Sequence, residues 1–277
     1  MRLTCEKYKK NYIQEIKNLL TEDEFVRKDT LGCLEDFPEC AVVVKSDHDT
    51  VAIGVYTGRT KRTSMTFTVS PGRRNEGIGS FLLSALENEM LEYGVEEIIC
   101  DYKVDDSIRA FLLKRGYENW FRSNHMIYSG DKFDVSQISV SDYSDKDYDA
   151  VQKILSEAIH RMRLSVGLES VPSEPSEEEK ETYQKKSEDI FVLRENEEIA
   201  AAVMVENNEI DKLAVSVNKQ GMGYGKELLA YTVNRLKERG FSEISLWVVE
   251  SNPAKILYEK AGFSLNRQHE FIRKKLI

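Results

Sequence analysis

The sequence predicts an α/β protein made of two similar lobes in tandem, each with a mixed β-sheet. Two observations predict this fold class. A β-branched strand, a glycine turn and an amphipathic helix follow one another in each half of the chain, at a constant spacing. The length of 277 residues also suits two domains, since a domain usually holds roughly 100–200 residues.

The two copies keep their register over a long stretch. An offset of 146 residues carries one copy onto the other, with no gap between the matched positions. Agreement at four glycines, with apolar periodicity between them, favours a fused duplication over two unrelated units. The matched pairs are Val69 and Val215, Gly77 and Gly223, Gly79 and Gly225, Leu82 and Leu228, Gly94 and Gly240, Glu97 and Glu243, Ile98 and Ile244, and Gly116 and Gly262.

The first half reads as a strand, a helix, a hairpin and then the strand before its glycine turn. After the turn, apolar residues at the helical period trace a helix that begins near Ile78 and ends at Gly94. The other predicted elements are a strand at 2–8, a helix at 12–20, a hairpin at 41–44 and 51–56, strands at 64–69 and 96–100, a helix at 107–115 and a strand at 126–128.

The second half repeats this order. It predicts a strand at 139–142, a helix at 148–159, a hairpin at 190–194 and 199–205, and a strand at 210–217. The largest departure between the halves is the segment 169–189, which predicts an acidic solvated helix capped by Ser173 or Ser176, or alternatively a mobile lid. Turn residues at 130–135 predict a boundary between an N-terminal lobe, 1–133, and a C-terminal lobe, 134–277.

Composition narrows the functional classes. The formal net charge of −9 argues against sequence-independent binding of nucleic acid, which needs clustered basic residues. All four cysteines lie in the first half, and none shows metal-ligand spacing, so we expect free thiols in a reducing cytosol and no metal site. The longest apolar run, 199–205, is too short to span a bilayer, so we expect a cytoplasmic protein that is not embedded in a membrane.

The glycine turns suit phosphate. Gly221, Gly223 and Gly225 let successive backbone N–H groups point into one concavity at a helix N-terminus, where the helix dipole favours anions. A Walker loop needs the pattern G-x-x-x-x-G-K-[ST], and neither copy supplies it. A dinucleotide-binding unit would place its turn after the first strand, whereas here the turn follows a hairpin and a third strand.

Two motifs in the second half stand at a fixed distance from each other. The first is Gln220-x-x-Gly223-x-Gly225, between a strand and a helix. The second is Asn252-x-Ala254-x-x-x-Tyr258-x-x-x-Gly262-Phe263. Together they resemble the acetyl-CoA-binding core of the GNAT superfamily of N-acetyltransferases, and the order of elements extends this resemblance over nearly the whole chain.

The resemblance implies a sheet whose fourth and fifth strands splay apart, with acetyl-CoA in the V between them. The backbone of Leu213, Ala214 and Val215 would pair with the pantetheine arm, and one N–H there would polarise the thioester carbonyl, lowering the barrier by on the order of 3 kcal/mol. The other implied cofactor-binding residues are Gln220, Gly221, Met222, Gly223, Tyr224, Gly225, Lys226 and Asn252, with Arg74, Gly77 and Gly79 in the first half.

The same resemblance implies an acid and a base. Glu209 precedes Val215 by six residues, as the catalytic glutamate does in histone-acetylating members, and Asp211 is the second candidate because it alternates to the same side of the strand. Tyr258 matches the tyrosine that protonates the departing thiolate in many members. Asn252 would cap the short helix and contact the cofactor.

The first half departs from the family at these positions. Thr63 stands where the second half has Glu209, Leu112 where it has Tyr258, and Asp106 where it has Asn252. We therefore expect catalysis in the C-terminal lobe. The N-terminal lobe would be catalytically degenerate and serve as a structural or substrate-shaping part, or bind a second acetyl-CoA.

These expectations describe an N-acetyltransferase that moves acetyl from acetyl-CoA to a primary amine by direct attack. The second half has no cysteine to form an acetylated intermediate. The acceptor stays open among a small cationic amine, an aminosugar, an amino acid and a protein amine. The alternatives are a non-catalytic acyl-CoA-binding or interaction module, and a single site built by both lobes.

Overall fold

The computed structural model describes residues 2–134 and 139–277, which fold into two compact units. The first unit extends to Trp120 and also contains Glu270–Ile277, and the second is Phe121–His269. Each unit is a mixed β-sheet with helices on both faces. The predicted fold class, α/β with two similar domains in tandem, is confirmed.

The first unit has its strands in the order β1-β2-β3-β4-β5, followed by the end of β12. Strands β1 to β4 are antiparallel to their neighbours, and β4 is parallel to β5. The elements are β1 (Leu3–Lys7), α1 (Ile13–Leu19), α2 (Glu24–Asp36), β2 (Ala41–Ser46), β3 (Asp49–Tyr56), β4 (Arg62–Val69), α3 (Ile78–Glu92), β5 (Glu97–Lys103), α4 (Asp106–Leu113), the start of β6 (Glu118–Tyr128) and the end of β12 (Ser264–Lys275).

The second unit has the order β12-β6-β11-β10-β9-β8-β7. Strands β7 to β10 form antiparallel neighbours, β10 is parallel to β11, and β11 is antiparallel to β6. The further elements are β7 (Val140–Asp142), α5 (Tyr148–Ser165), α6 (Glu177–Lys185), β8 (Ile190–Glu195), β9 (Glu198–Glu206), β10 (Glu209–Val215), α7 (Tyr224–Glu238), β11 (Ile244–Val249) and α8 (Ala254–Lys260).

The sequence repeat is also a structural repeat. Helices α3 and α7 have 15 residues each, and the offset of 146 residues carries the first onto the second at both ends. Strands β4 and β10 end at Val69 and Val215, which the same offset relates. We call β4, its turn, α3, β5 and α4 the first repeat, and β10, its turn, α7, β11 and α8 the second repeat.

The helices divide between the two faces of each sheet. In the second unit, Leu228, Leu236, Leu246 and Tyr258 belong to the core beneath α7 and α8, which we call the α7–α8 face. The opposite side, the α5–α6 face, has its own core of residues from α5, α6 and the strands, which includes Tyr148, Val151, Leu155, Tyr183, Val192, Ala202 and Ala214. The first unit likewise has one core under α1 and α2 and another under α3 and α4.

Most predicted elements form, and three differ. Helix α2 was not predicted, because it buries only Thr30 and Leu34 and so shows little apolar periodicity. Strand β6 and helix α5 extend beyond their predicted limits. The acidic helix α6 forms with Ser176 as its cap, and the Ser176 hydroxyl accepts a hydrogen bond from the backbone N–H of Glu179.

The boundaries of the two compact units differ from the boundaries of the two repeats. Residues 121–128 follow the first repeat in sequence but belong to the second unit, and Glu270–Ile277 follow the second repeat but belong to the first unit. Each unit thus takes one strand segment from beyond its own repeat. The predicted lobe boundary at 130–135 ends among residues 135–138, which lie outside the described residues, and it stays a prediction.

Two features are absent from residues 2–134 and 139–277. No helix there is both long enough and apolar enough to cross a bilayer. No group of three or more His, Cys, Asp and Glu side chains in the same residues is arranged to hold a metal ion.

The core beneath α7 predicts a large loss of stability on truncation. Leu228 is fully buried, so Leu228→Ala should lower the free energy of unfolding of the second unit by about 3 kcal/mol, through lost burial and a residual cavity. Leu164→Ala is the control, because Leu164 is 52% exposed and should change the value by less than about 0.5 kcal/mol. Urea unfolding followed by Trp247 fluorescence in a Trp120→Phe background measures both, and equal effects would contradict the assigned core.

Candidate functional site

The turn of the second repeat depends on two glycines with left-handed backbone. Gly221 has φ +79° and Gly223 has φ +90°, conformations that L side chains rarely adopt. A Cβ atom added at either glycine would meet nothing within 4 Å. The turn therefore borders open space at Gly221 and Gly223, and these two glycines are required by backbone conformation rather than by crowding.

Helix α7 begins without a side-chain cap. Its N-cap residue is Gly223, which has no side chain to accept the first N–H groups of the helix. The carbonyl of Gly223 accepts hydrogen bonds from the N–H groups of Lys226 and Glu227 at 3.0 and 3.2 Å. Uncapped donors at the positive end of a 15-residue helix suit a phosphate group.

The third glycine of the turn is needed for close packing. A Cβ atom at Gly225 would lie 3.4 Å from Cδ2 of Leu257 and 3.4 Å from Cγ2 of Val215. The first turn of α7 is therefore packed against both the end of β10 and α8. This contact places the glycine turn, the end of β10 and the helix that carries Tyr258 next to one another.

The other predicted turn residues surround this cradle. The side-chain amide of Gln220 donates a hydrogen bond to the carbonyl of Val215 at 3.3 Å. Met222 is 61% exposed, and Lys226 is also exposed. The hydroxyl of Tyr224 and the ammonium of Lys219 both contact the carboxylate of Glu195, which leaves Tyr224 turned toward the end of β8.

Strand β10 separates from β11 part of the way along its length. The two strands are in register at Glu209 with Ser245 and at Ile210 with Leu246. Leu213, Ala214 and Val215 continue in register with β9 on the other side. Beyond Ile210, the β11 side of β10 is the side on which the resemblance places the pantetheine arm.

A β-bulge in β10 determines where Glu209 points. The register with β9 shifts between Ile210 and Lys212. Ile210 and Leu213 both face the α7–α8 core, although simple alternation over three residues would place them on opposite faces. Since Ile210 faces α7 and α8, Glu209 lies on the α5–α6 face, where it is half-buried.

The first repeat has no such bulge. Its strand β4 keeps a continuous register with β3 from Val69 to Met65, and Thr63 is in register with Ile98, a core residue beneath α3 and α4. Thr63 is 2% exposed, and its hydroxyl donates to the carbonyl of Gly58 at 3.1 Å. The position that corresponds to Glu209 therefore faces the opposite side of the sheet, so both the residue and its direction differ.

Because of the bulge, Asp211 is no longer expected on the same side of β10 as Glu209. Simple alternation from Glu209 does not hold across the irregularity, and Lys212 takes the next register position, opposite Met204. The carboxylate of Asp211 lies 3.6 Å from the ammonium of Lys212. Asp211 is exposed, which leaves Glu209 as the more enclosed of the two carboxylates.

Tyr258 is held in the core beneath α7 and α8. It is 6% exposed, and its ring centroid lies 6.0 Å from that of Phe263. Burial raises the pKa of Tyr258 to about 12, so the hydroxyl is protonated at neutral pH. Asn252 accepts a hydrogen bond from the N–H of Ala254 at 3.0 Å and so satisfies a donor at the start of α8, although Pro253 occupies the N-cap position.

The turn of the first repeat has similar backbone but different side chains. Asn75 and Gly77 have φ +64° and +84°, as Gly221 and Gly223 do in the second repeat. The Arg74 guanidinium lies 2.5 Å from the carboxylate of Glu22, and Arg73 lies 2.8 Å from Glu76. The basic side chains of this turn are therefore already paired with carboxylates.

The first repeat keeps the close packing between its turn and its short helix, but it lacks the hydroxyl of Tyr258. A Cβ atom at Gly79 would lie 3.4 Å from the ring of Phe111, which corresponds to the contact of Gly225 with Leu257. Leu112, at the position of Tyr258, is fully buried and has no hydroxyl. Asp105 rather than Asp106 caps α4, accepting hydrogen bonds from the N–H groups of Ser107 and Ile108.

Comparison with known families identifies the class of the protein. The model of the acetyltransferase (GNAT) family matches residues 6–117 and again residues 153–263. The chain therefore belongs to the GNAT acetyltransferase family, with two copies of the domain in tandem. This confirms the resemblance noted in the sequence.

Individual relatives are similar over different extents. The [ribosomal protein bS18]-alanine N-acetyltransferase of Haemophilus influenzae is 46% identical over 52 residues, which are 19% of this chain and 36% of that protein. A GCN5-related N-acetyltransferase from Sphaerobacter thermophilus has a TM-score of 0.79 at 17% identity, covering 99% of this chain and 96% of that one. A tandem GNAT protein from the clavulanic acid biosynthesis pathway has a TM-score of 0.67 at 13% identity, covering 100% and 99%. At these identities the two structures show a shared fold.

Two features of the site have no simple signal in the sequence. The bulge in β10 depends on hydrogen bonding between strands, and no glycine or proline marks it. The second feature is a cluster of His125, Trp247 and His269, from three different strands. These residues are far apart in sequence and become neighbours only through the order of the strands.

The left-handed backbone of the turn predicts an unequal effect of alanine. Gly223→Ala should lower the free energy of unfolding of the second unit by about 1–2 kcal/mol, the cost of left-handed backbone for an L residue. The control is Gly72→Ala, in the corresponding region of the first repeat, where φ is not left-handed and a Cβ has open space. Urea unfolding, followed by the tryptophan of the unit concerned, measures both; a Gly223→Ala protein as stable as wild type would contradict the turn geometry.

Proposed function

We propose that the protein transfers an acetyl group from acetyl-CoA to a primary amine, and that the second repeat performs the chemistry. The observation that carries this proposal is the arrangement around β10. An uncapped helix N-terminus, a strand edge that leaves its neighbour and a half-buried carboxylate all belong to that strand or to the turn that follows it. The first repeat lacks the carboxylate and the tyrosine.

The residues present fit acetyl-CoA at two places. The turn with Gly221 and Gly223 has open space in front of uncapped N–H groups, as a pyrophosphate requires. Leu213, Ala214 and Val215 pair with β9 but lie beyond the last residue of β10 that is in register with β11. Their backbone therefore borders the gap between β10 and β11. Bound there, acetyl-CoA supplies an activated acyl group, and a backbone N–H of β10 would stabilise negative charge on its carbonyl oxygen.

Glu209 is proposed as the base. An alkylamine has a pKa near about 10 and is mostly protonated at neutral pH, so a proton must leave before the nitrogen can attack. Glu209 faces α5 and α6, on the side of the sheet opposite the helix that carries the phosphate cradle. The acceptor would approach from that side, and its proton would pass to Glu209 directly or through one water molecule.

Tyr258 is proposed to stabilise the departing thiolate. With a pKa of about 12, its hydroxyl always has a proton to offer at neutral pH. Complete transfer to a thiolate, whose conjugate acid has a pKa of about 8.5, would be uphill by about 5 kcal/mol. We therefore assign Tyr258 a hydrogen bond to the developing thiolate, with the final proton coming from solvent.

The acceptor must carry a primary amine. The Haemophilus influenzae relative is named for an alanine of a ribosomal protein, but the match covers 36% of it. A protein amine, an aminosugar, an amino acid and a small cationic amine all meet the chemical requirement of a primary amine. The net charge of −9 favours a cationic acceptor through long-range attraction.

Replacing the Tyr258 hydroxyl tests the proposed chemistry. Tyr258→Phe should slow thiol release from acetyl-CoA with an amine panel by about 10- to 100-fold, the loss of one hydrogen bond to a charged group. Binding of acetyl-CoA should be little changed. Tyr231→Phe is the control, because Tyr231 is a partly buried tyrosine on α7 that packs edge-on against Phe191 and has no proposed role.

The outcomes separate the two functions considered. Unchanged turnover in Tyr258→Phe would remove this residue from the chemistry. Tight binding of acetyl-CoA by the wild-type protein, without thiol release for any amine, would contradict the enzyme and support an acyl-CoA-binding module instead.

A further inference from the structure

Trp247 is the one residue of β11 that is not buried. The strand Ile244–Val249 lies inside the sheet of the second unit, between β10 and β6, and its other five residues are buried. The indole of Trp247 keeps accessible surface in the middle of an interior strand and is open to a ligand on that side of the sheet.

Two buried histidines hold the indole in place. Trp247 is directly opposite His125 of β6, with ring centroids 4.9 Å apart. His269 of β12 packs edge-on to it at 5.0 Å. The histidines are 7% and 5% exposed, and the side-chain amide of Asn266 lies 3.0 Å from Nδ1 of His125. The indole is thus fixed by its neighbours, as a recognition surface requires.

The register of the strands places Trp247 near Glu209. Glu209 is in register with Ser245, and Trp247 is two residues further along the same face of β11. In ideal strands, the Cα atoms of two residues on neighbouring strands, offset by two residues, lie on the order of 8 Å apart. Leu246 is the last β11 residue in register with β10, so Trp247 stands where the two strands begin to separate.

This spacing suits a small cation. An ammonium is attracted by an indole face within about 6 Å of the ring centroid and hydrogen-bonds a carboxylate at about 2.8 Å. An ammonium between Trp247 and Glu209 can therefore interact with both. Neither interaction would favour a neutral amine or an anion to the same degree.

The charges around the indole are unequal. Burial lowers the pKa of His125, and Arg267 and His269 lower it further, so this ring is neutral at neutral pH and does not repel a cation. Arg267 lies on the His125 side of the indole and would disfavour an ammonium there. Glu209 lies on the β10 side, so of these two sides of the indole, the side toward β10 is the more favourable for a cation.

We propose that Trp247 and Glu209 form the site that receives the acceptor, and that the acceptor binds as a primary alkylammonium. This assignment rests on the proposed acetyl transfer for the identity of the reaction and adds Trp247 as the residue that recognises the charged form of the acceptor. The ammonium gives one proton to Glu209 or to a bridging water. The nitrogen lone pair then forms the C–N bond as the C–S bond breaks. The new amide nitrogen releases its second proton to solvent, and the departing thiolate takes a proton from solvent.

Fluorescence tests whether the site binds an ammonium, without requiring acetyl transfer. In a Trp120→Phe protein, Trp247 is the only tryptophan, so its emission reports on the indole itself. Without acetyl-CoA, n-butylammonium chloride should change the emission with saturation, at a midpoint at least tenfold below that of 1-butanol. Sodium chloride at the same concentrations controls for ionic strength, and Glu209→Gln should weaken the n-butylammonium response about tenfold.

Steady-state kinetics of acetyl transfer is the second test of the site. Trp247→Leu should raise KM for n-butylamine about tenfold with little change in kcat, and Trp120→Leu should leave both unchanged. Circular dichroism checks that the variants are folded, and Trp247→Phe, which keeps an aromatic face, should recover part of the loss.

The results distinguish a failure of the ammonium site from a failure of the proposed acetyl transfer. Equal responses to n-butylammonium and 1-butanol, or no response of Trp247 to either, would overturn the ammonium site even if acetyl transfer occurs. An unchanged KM in Trp247→Leu would overturn it as well. A saturable, Glu209-dependent response in a protein that transfers no acetyl group would retain the ammonium site and reject the proposed function.

Discussion

The candidate site depends on the β-bulge in β10. The register shift between Ile210 and Lys212 reverses which side chains face which side of the sheet. Leu213 and Val215 remain against the α7–α8 core, while Glu209 is directed to the α5–α6 face. One strand can therefore present backbone toward a cofactor from one side and a carboxylate toward an acceptor from the other. Without the bulge, the carboxylate would face the core, as Thr63 does in the first repeat.

The duplication preserved the framework more closely than the chemistry. Both repeats keep the left-handed turn, the uncapped 15-residue helix and the close contact of the last glycine, Gly79 or Gly225, with the short helix. Only the second repeat combines the bulge, Glu209 and Tyr258. Backbone geometry and core packing can thus be retained after the groups that would perform the reaction have changed. The first unit keeps a full core and takes its last strand segment, Glu270–Ile277, from the end of the chain.

Much of this architecture was predictable because it is encoded locally. The glycine turns, the helix that follows each turn and the hairpin before it depend on short-range periodicity and on residues with special backbone freedom. The family match confirms the tandem GNAT fold predicted from Gln220, Gly223, Gly225 and the motif around Tyr258. Helix α2 escaped prediction because it buries only two residues. The bulge and the cluster around Trp247 depend on pairing between distant strands, and no local pattern encodes that pairing.

We propose that the two repeats are unequal, with one working acetyl-CoA site in the second. Calorimetric titration of the whole chain with acetyl-CoA tests this claim most directly, using the matched variants Gly223→Asp and Gly77→Asp, which place a carboxylate in each cradle in turn. One molecule should bind per chain, and this binding should be lost in Gly223→Asp and retained in Gly77→Asp. Two molecules bound per chain, or binding that is lost in Gly77→Asp and retained in Gly223→Asp, would contradict this claim.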